Sequence, residues 1–77
     1  MTAREANALM RSRRVMLRAE RKDDGWAYRV LLDGVTVGTV AQYDGGWLYA
    51  KPLGDGITIA GPWRKQKLAV RELLRTC

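Results

Sequence analysis

Seventy-seven residues make one small domain, residues 1–77, and exclude a multidomain enzyme. A chain 47% hydrophobic and 29% charged is too apolar for a disordered tail, and having no His and a single Cys excludes His-based acid–base chemistry, Cys/His zinc sites and internal disulfides. Fourteen Lys and Arg against eight Asp and Glu leave a formal charge of +6, which points to an acidic partner.

In chain order, Thr2 and Glu5 stand in capping-box spacing and predict a short helix over 3–12. A strand over 14–22 follows, with a single long helix from Arg4 to Lys22 as the competing reading. Pairing favours the strand. If Asp24-Gly25 is a two-residue turn, Arg21 faces Tyr28, Glu20 faces Arg29, Ala19 faces Val30 and Leu17 faces Leu32. Apolar pairs then share one face and an opposite-charge pair lies on the other.

Asp-Gly recurs at Asp24-Gly25, Asp33-Gly34, Asp44-Gly45 and Asp55-Gly56. This dipeptide accepts the positive backbone angles of two-residue hairpin turns, so it marks a meander. Between the turns run Trp26 to Leu32, Val35 to Gln42, Trp47 to Lys51 and Ile57 to Ala60, giving four to five antiparallel strands within 14–60. Gly61-Pro62 stops the last strand and a helix follows within 62–76. From Trp63 to Arg75 its apolar residues Trp63, Ala69, Val70, Leu73 and Leu74 share one face, while Arg64, Lys67, Arg71 and Arg75 form a basic stripe on the other. The expected fold class is α+β: a short N-terminal helix, an antiparallel β-meander, and a C-terminal helix packed on one sheet face.

Charge is segregated: +5 over residues 1–22, −3 over 23–60 and +4 over 61–77. The Asp residues belong to turns, whereas the cations gather in the two terminal segments, which predicts one positive surface if those segments meet. Phosphate binding needs such a cluster, and Arg11, Arg13, Arg14 and Arg18 with Arg64, Lys65, Lys67 and Arg71 are the candidates. A solvated face that keeps the chain soluble, and docking on an acidic protein surface, account for the same charges.

Trp47 and Tyr49 are the candidate base-stacking residues. Their side depends on one turn. A two-residue Asp44-Gly45 loop pairs Val40 with Tyr49 and Gln42 with Trp47 and puts both rings beside Arg29 on the outer face. A three-residue loop with Gly46 as a bulge shifts the register by one and turns them into the core. Trp26, Tyr28 and Trp63 are expected in the core.

Nothing in the chain reads as catalytic: its glycines are turn glycines, no Ser or Thr has an evident base, and Cys77 has no His. No cofactor or metal is expected. No apolar run is long enough for a membrane span or a signal peptide, so no membrane partner is expected and the cytoplasm is the expected compartment. An open sheet edge leaves a homodimer compatible with the pattern.

The run from Trp26-Ala27-Tyr28-Arg29-Val30 through Asp33-Gly34 to Trp63-Arg64-Lys65-Gln66-Lys67-Leu68-Ala69 resembles the arm-type DNA-binding domains at the N-termini of phage and transposon integrases. In that family a three-stranded sheet backed by a C-terminal helix lays its strands into the major groove. Trp63 and Ala69 keep the family's spacing at the helix start, with Lys65 and Gln66 where it has Thr and Lys. A looser likeness, on Arg64-Lys65-x-Lys67, is to double-stranded-RNA-binding domains. Either resemblance implies DNA or RNA as partner and makes Arg29, Lys51, Arg64 and Lys65 backbone contacts. The expected function is non-catalytic nucleic-acid binding; the alternative is a small interaction module or inhibitor, from a mobile element, that docks on an acidic surface of a larger protein.

Overall fold

The computed structural model describes residues 1–23 and 25–77. The elements are α1 (Ala3–Arg11), β1 (Val15–Lys22), β2 (Gly25–Leu32), β3 (Val35–Tyr43), β4 (Gly46–Leu53), β5 (Gly56–Trp63) and α2 (Gln66–Arg75). The strands form one antiparallel sheet in sequence order, and α2 packs on it. The fold is α+β, as expected.

α1 starts at the capping box. Thr2 Oγ1 accepts the Glu5 N–H at 3.1 Å, and the Glu5 carboxylate accepts the Thr2 N–H at 3.1 Å. Ser12 ends it in an extended conformation, with its hydroxyl donating to the Leu9 carbonyl at 2.6 Å. The chain therefore breaks after one short helix and enters β1.

Two of the four Asp-Gly pairs are turns. Asp33 and Gly34 have φ of 53° and 83°, and Asp44 and Gly45 have 50° and 81°, the double positive φ of a type I′ hairpin. The outer two differ. Gly25 pairs with Lys22 and Gly56 with Leu53, so each glycine is already the first residue of its strand. The last link is Gly54-Asp55, and Asp24 of the first lies outside the described residues. β1 accordingly pairs two residues away from the expected register: Arg21 faces Trp26, Ala19 faces Tyr28 and Leu17 faces Val30. A two-residue slip keeps every side chain on its face. Glu20 thus still reaches Arg29, as a diagonal ion pair.

A one-residue shift does change faces. Val30 pairs with Gly38 but Leu31 with Thr36, leaving Val37 as a β-bulge. Beyond it Val40 pairs with Tyr28 on the face that α2 covers. The Asp44-Gly45 loop has two residues, Val40 faces Tyr49 and Gln42 faces Trp47. The expected link between that loop and an outward position is nonetheless corrected, because the bulge has already turned this half of β3 inward. Tyr49 is buried in the core and Trp47 packs half-buried beside it.

The core lies between sheet and helices: Val30, Val40 and Tyr49 meet Ala69, Val70, Leu73 and Leu74 of α2 and Ala6 of α1. Full burial of a leucine is worth about 1.5–3 kcal/mol, so Leu73 and Leu74 anchor α2. Gly38 lets α2 come close. A Cβ there would lie 2.7 Å from the Ala50 carbonyl oxygen and 2.8 Å from a Leu73 methyl.

The start of α2 is also corrected. Trp63 was expected in the helix but ends β5, opposite Trp47, and its ring stacks on Tyr49 at 5.6 Å between centroids. That contact holds Trp63 in the sheet, and Lys65 becomes the N-cap. Trp26 lies beyond the cover of the helices and is 55% exposed, contrary to its expected place in the core.

Candidate nucleic-acid interface

α1 packs along α2, so the two basic terminal segments do meet. Between them runs a groove lined by Asn7, Met10 and Arg11 from α1 and Lys67, Leu68 and Arg71 from α2. Helical periodicity builds it: Asn7, Met10 and Arg11 sit at i, i+3 and i+4, and Lys67 and Arg71 are one turn apart. Arg11 and Lys67 are exposed and have no ion-pair partner among the described residues.

The other expected cations divide by place. Arg71 and Arg75 share the Glu72 carboxylate, at 2.9 and 3.1 Å, so part of the predicted basic stripe is neutralised within its own helix. Arg14 forks onto Asp33, which raises the guanidinium pKa and lowers that of the carboxyl through the hydrogen bond and then the opposite charge. Lys51 donates to the carbonyl and hydroxyl of Thr76 at 3.0 and 2.8 Å, closing the C-terminal end of α2. Arg18 and Arg29 pair with each other across β1 and β2 on the face away from the helices, with Glu20 between Arg29 and Lys22. Arg13 is exposed in the link from α1 to β1. Arg64 and Lys65 are exposed just ahead of α2.

The structure therefore brings together Arg11, Lys67 and Arg71 and separates them from Arg18 and Arg29. Of the candidate stacking residues, Tyr49 is only 9% exposed and already stacked on Trp63, so no ring face is open to a base. Trp47 leans on Tyr28 with centroids 5.9 Å apart. The outer sheet face instead exposes Met16, Tyr43, Ile57 and Ile59.

Sequence reasoning missed Asn7 and Met10 as groove residues, although their spacing to Arg11 on a capped helix carried the signal. It also missed Glu72, whose position three residues before Arg75 on one helix marks it as a counter-charge to that guanidinium.

At the start of α2, Lys65 makes no side-chain hydrogen bond to the first-turn amides, and that turn has no acidic residue. These amides and the positive end of the helix dipole face the same end of the molecule as Arg64 and Lys65. No family model matches this chain, and no curated protein or solved structure matches it either.

Proposed function

We propose that this chain is a non-catalytic nucleic-acid-binding protein that engages phosphates through the α1–α2 groove. The carrying observation is that Arg11 and Lys67, one from each basic terminal segment, line a single groove with no ion-pair partner among the described residues. Arg71 joins them on the α2 wall, and Arg64 and Lys65 extend the positive surface past an uncapped helix start. Asn7 adds a neutral amide for sugar or base edges. The resemblance to arm-type integrase domains, and with it an origin in a mobile element and a cytoplasmic setting, belongs to the same reading. Here the helical side carries the contact, because on the outer sheet face Glu20 already pairs with Arg29 and Lys22, and Met16, Tyr43, Ile57 and Ile59 are exposed beyond them.

The test is binding to short single- and double-stranded DNA and RNA across a salt series. Affinity should fall with a log–log slope of about −0.9 per phosphate for duplex DNA and about −0.7 for single strands. No binding at low salt to any of the four sinks the proposal. A second reading, docking on an acidic protein segment, is favoured by Met10 and Leu68, which give the groove apolar as well as cationic walls.

A further inference from the structure

The two edges of the sheet are guarded differently. β1 carries Arg18, Glu20, Arg21 and Lys22, charges that deter edge-to-edge pairing. β5 has no charged residue from Gly56 to Trp63. Its first four residues are all exposed, Ile57 at 69% and Ile59 at 64%. Pro62 and the irregular pairing near it blunt only the far end.

We propose that two copies of this chain pair antiparallel along β5 about a twofold axis at Thr58. The hairpin register supplies the donors and acceptors. Leu53 and Gly56 flank a two-residue turn, so they form a hydrogen-bonded pair, and bonded and non-bonded pairs alternate from there. Gly56, Thr58 and Ala60 bond inward to β4, whereas Ile57 and Ile59 point their N–H and C=O groups outward. With Thr58 on the axis, Ile57 of each copy faces Ile59 of the other. Each pair exchanges two backbone hydrogen bonds, and the isoleucine side chains meet on the outer face while the two Thr58 side chains meet on the other.

Charge permits this approach where it opposes others. Each chain carries +6, and the nearest cation to the axis is Lys51, opposite Thr58 on β4. Its copy is three strand spacings away, roughly 14 Å, beyond the roughly 8 Å screening length at physiological ionic strength. The Lys51 ammonium is moreover held at Thr76. The pairing closes on itself, because the remaining edges are the two charged β1 strands; the assembly stops at two. A contact of about five residues per strand buries less than the roughly 1,200 Å² of a standard interface, so the dimer dissociates on dilution. An axis normal to the sheet leaves both α1–α2 grooves on one side, although the pairing does not depend on what they bind.

The test is sedimentation velocity of the full chain without nucleic acid, from low micromolar to near-millimolar concentration. The mass should double over this range. Ile57→Lys places a charge at the contact, and Ile57→Pro removes an outward N–H that the monomer does not use. Both should give monomer throughout with unchanged far-UV circular dichroism, while Met16→Lys on the opposite edge should leave the doubling intact. A wild type that stays monomeric, a mass beyond the dimer, or a dimer that survives both Ile57 changes overturns the proposal. Nucleic-acid binding by a chain that remains monomeric would overturn the dimer alone.

Discussion

Arg14 and Asp33 meet as a two-pronged fork where the entry to β1 runs beside the β2–β3 turn. Nε donates to Oδ1 at 2.9 Å and Nη2 to Oδ2 at 2.8 Å, while the Asp33 N–H donates to the Arg14 carbonyl at 2.8 Å. The fork ties the segment after α1 to the first of the two turn residues whose positive φ the hairpin requires.

Acid should loosen this tie. The Arg14 hydrogen bond holds the Asp33 pKa below its ordinary 3.8, and the Thr2 backbone hydrogen bond holds Glu5 below its ordinary 4.5. For a depressed carboxylate, the stabilisation is present above the unfolded value and is lost as pH falls through the folded one. The melting temperature should therefore drop as pH falls below about 4.5, and Glu5→Gln with Asp33→Asn should flatten that drop. Asn accepts a positive φ, so the change tests charge rather than turn geometry. An acid limb as steep in the double variant as in the wild type would refute it.

Gly38→Ala should cost about 1–3 kcal/mol, because the new methyl meets a backbone oxygen as well as the Leu73 side chain. Urea unfolding should show a lower midpoint at an unchanged slope. An unchanged midpoint would mean that α2 does not sit over β3 and β4 as described.

Much of this was legible in the chain. The capping box, the helix-to-strand break and the meander were all readable, because local hydrogen-bond chemistry and turn residues determine them. Asp33-Gly34 and Asp44-Gly45 fell where expected. Gly25 and Gly56 did not: each opens its strand, and in the last link Asp55 is the final turn residue before Gly56. The Val37 bulge was not read, although Gly38 beside it, an isolated glycine inside a strand run, is the kind of local signal that marks a bulge or a close backbone approach. The groove was half legible: segregated charge marked the two terminal segments as one positive surface should they meet, but not which cations Glu72, Asp33 and Glu20 would occupy.

Trp26 should dominate iodide quenching of tryptophan fluorescence, since it is exposed while Trp47 and Trp63 are half-buried against the core. Trp26→Phe should remove most of the quenchable emission. Quenching that persists undiminished would place Trp47 or Trp63 in solvent.

Arg11→Ala and Lys67→Ala should each lower the salt slope of nucleic-acid binding by about 1, the loss of one phosphate contact. Arg18→Ala, on the opposite face, should leave that slope unchanged. If Arg18→Ala is the variant that loses it, the outer sheet face is the contact and the groove is not.

Position 37 gives β3 an unusual tolerance: the strand can lose a residue there without any other side chain changing sides. Substituting Val37 alters one half-buried side chain. Deleting it leaves Thr36 opposite Leu31, Gly38 opposite Val30 and Val40 opposite Tyr28, a regular ladder with every remaining residue on its present face. Deleting Thr39 instead, with the bulge kept, would bring Val40 opposite Arg29 and carry Tyr49 and Trp47, paired beyond it, to the outer face. Among related chains, a one-residue deletion between the Asp33-Gly34 and Asp44-Gly45 turns should fall at the bulge and not elsewhere in β3.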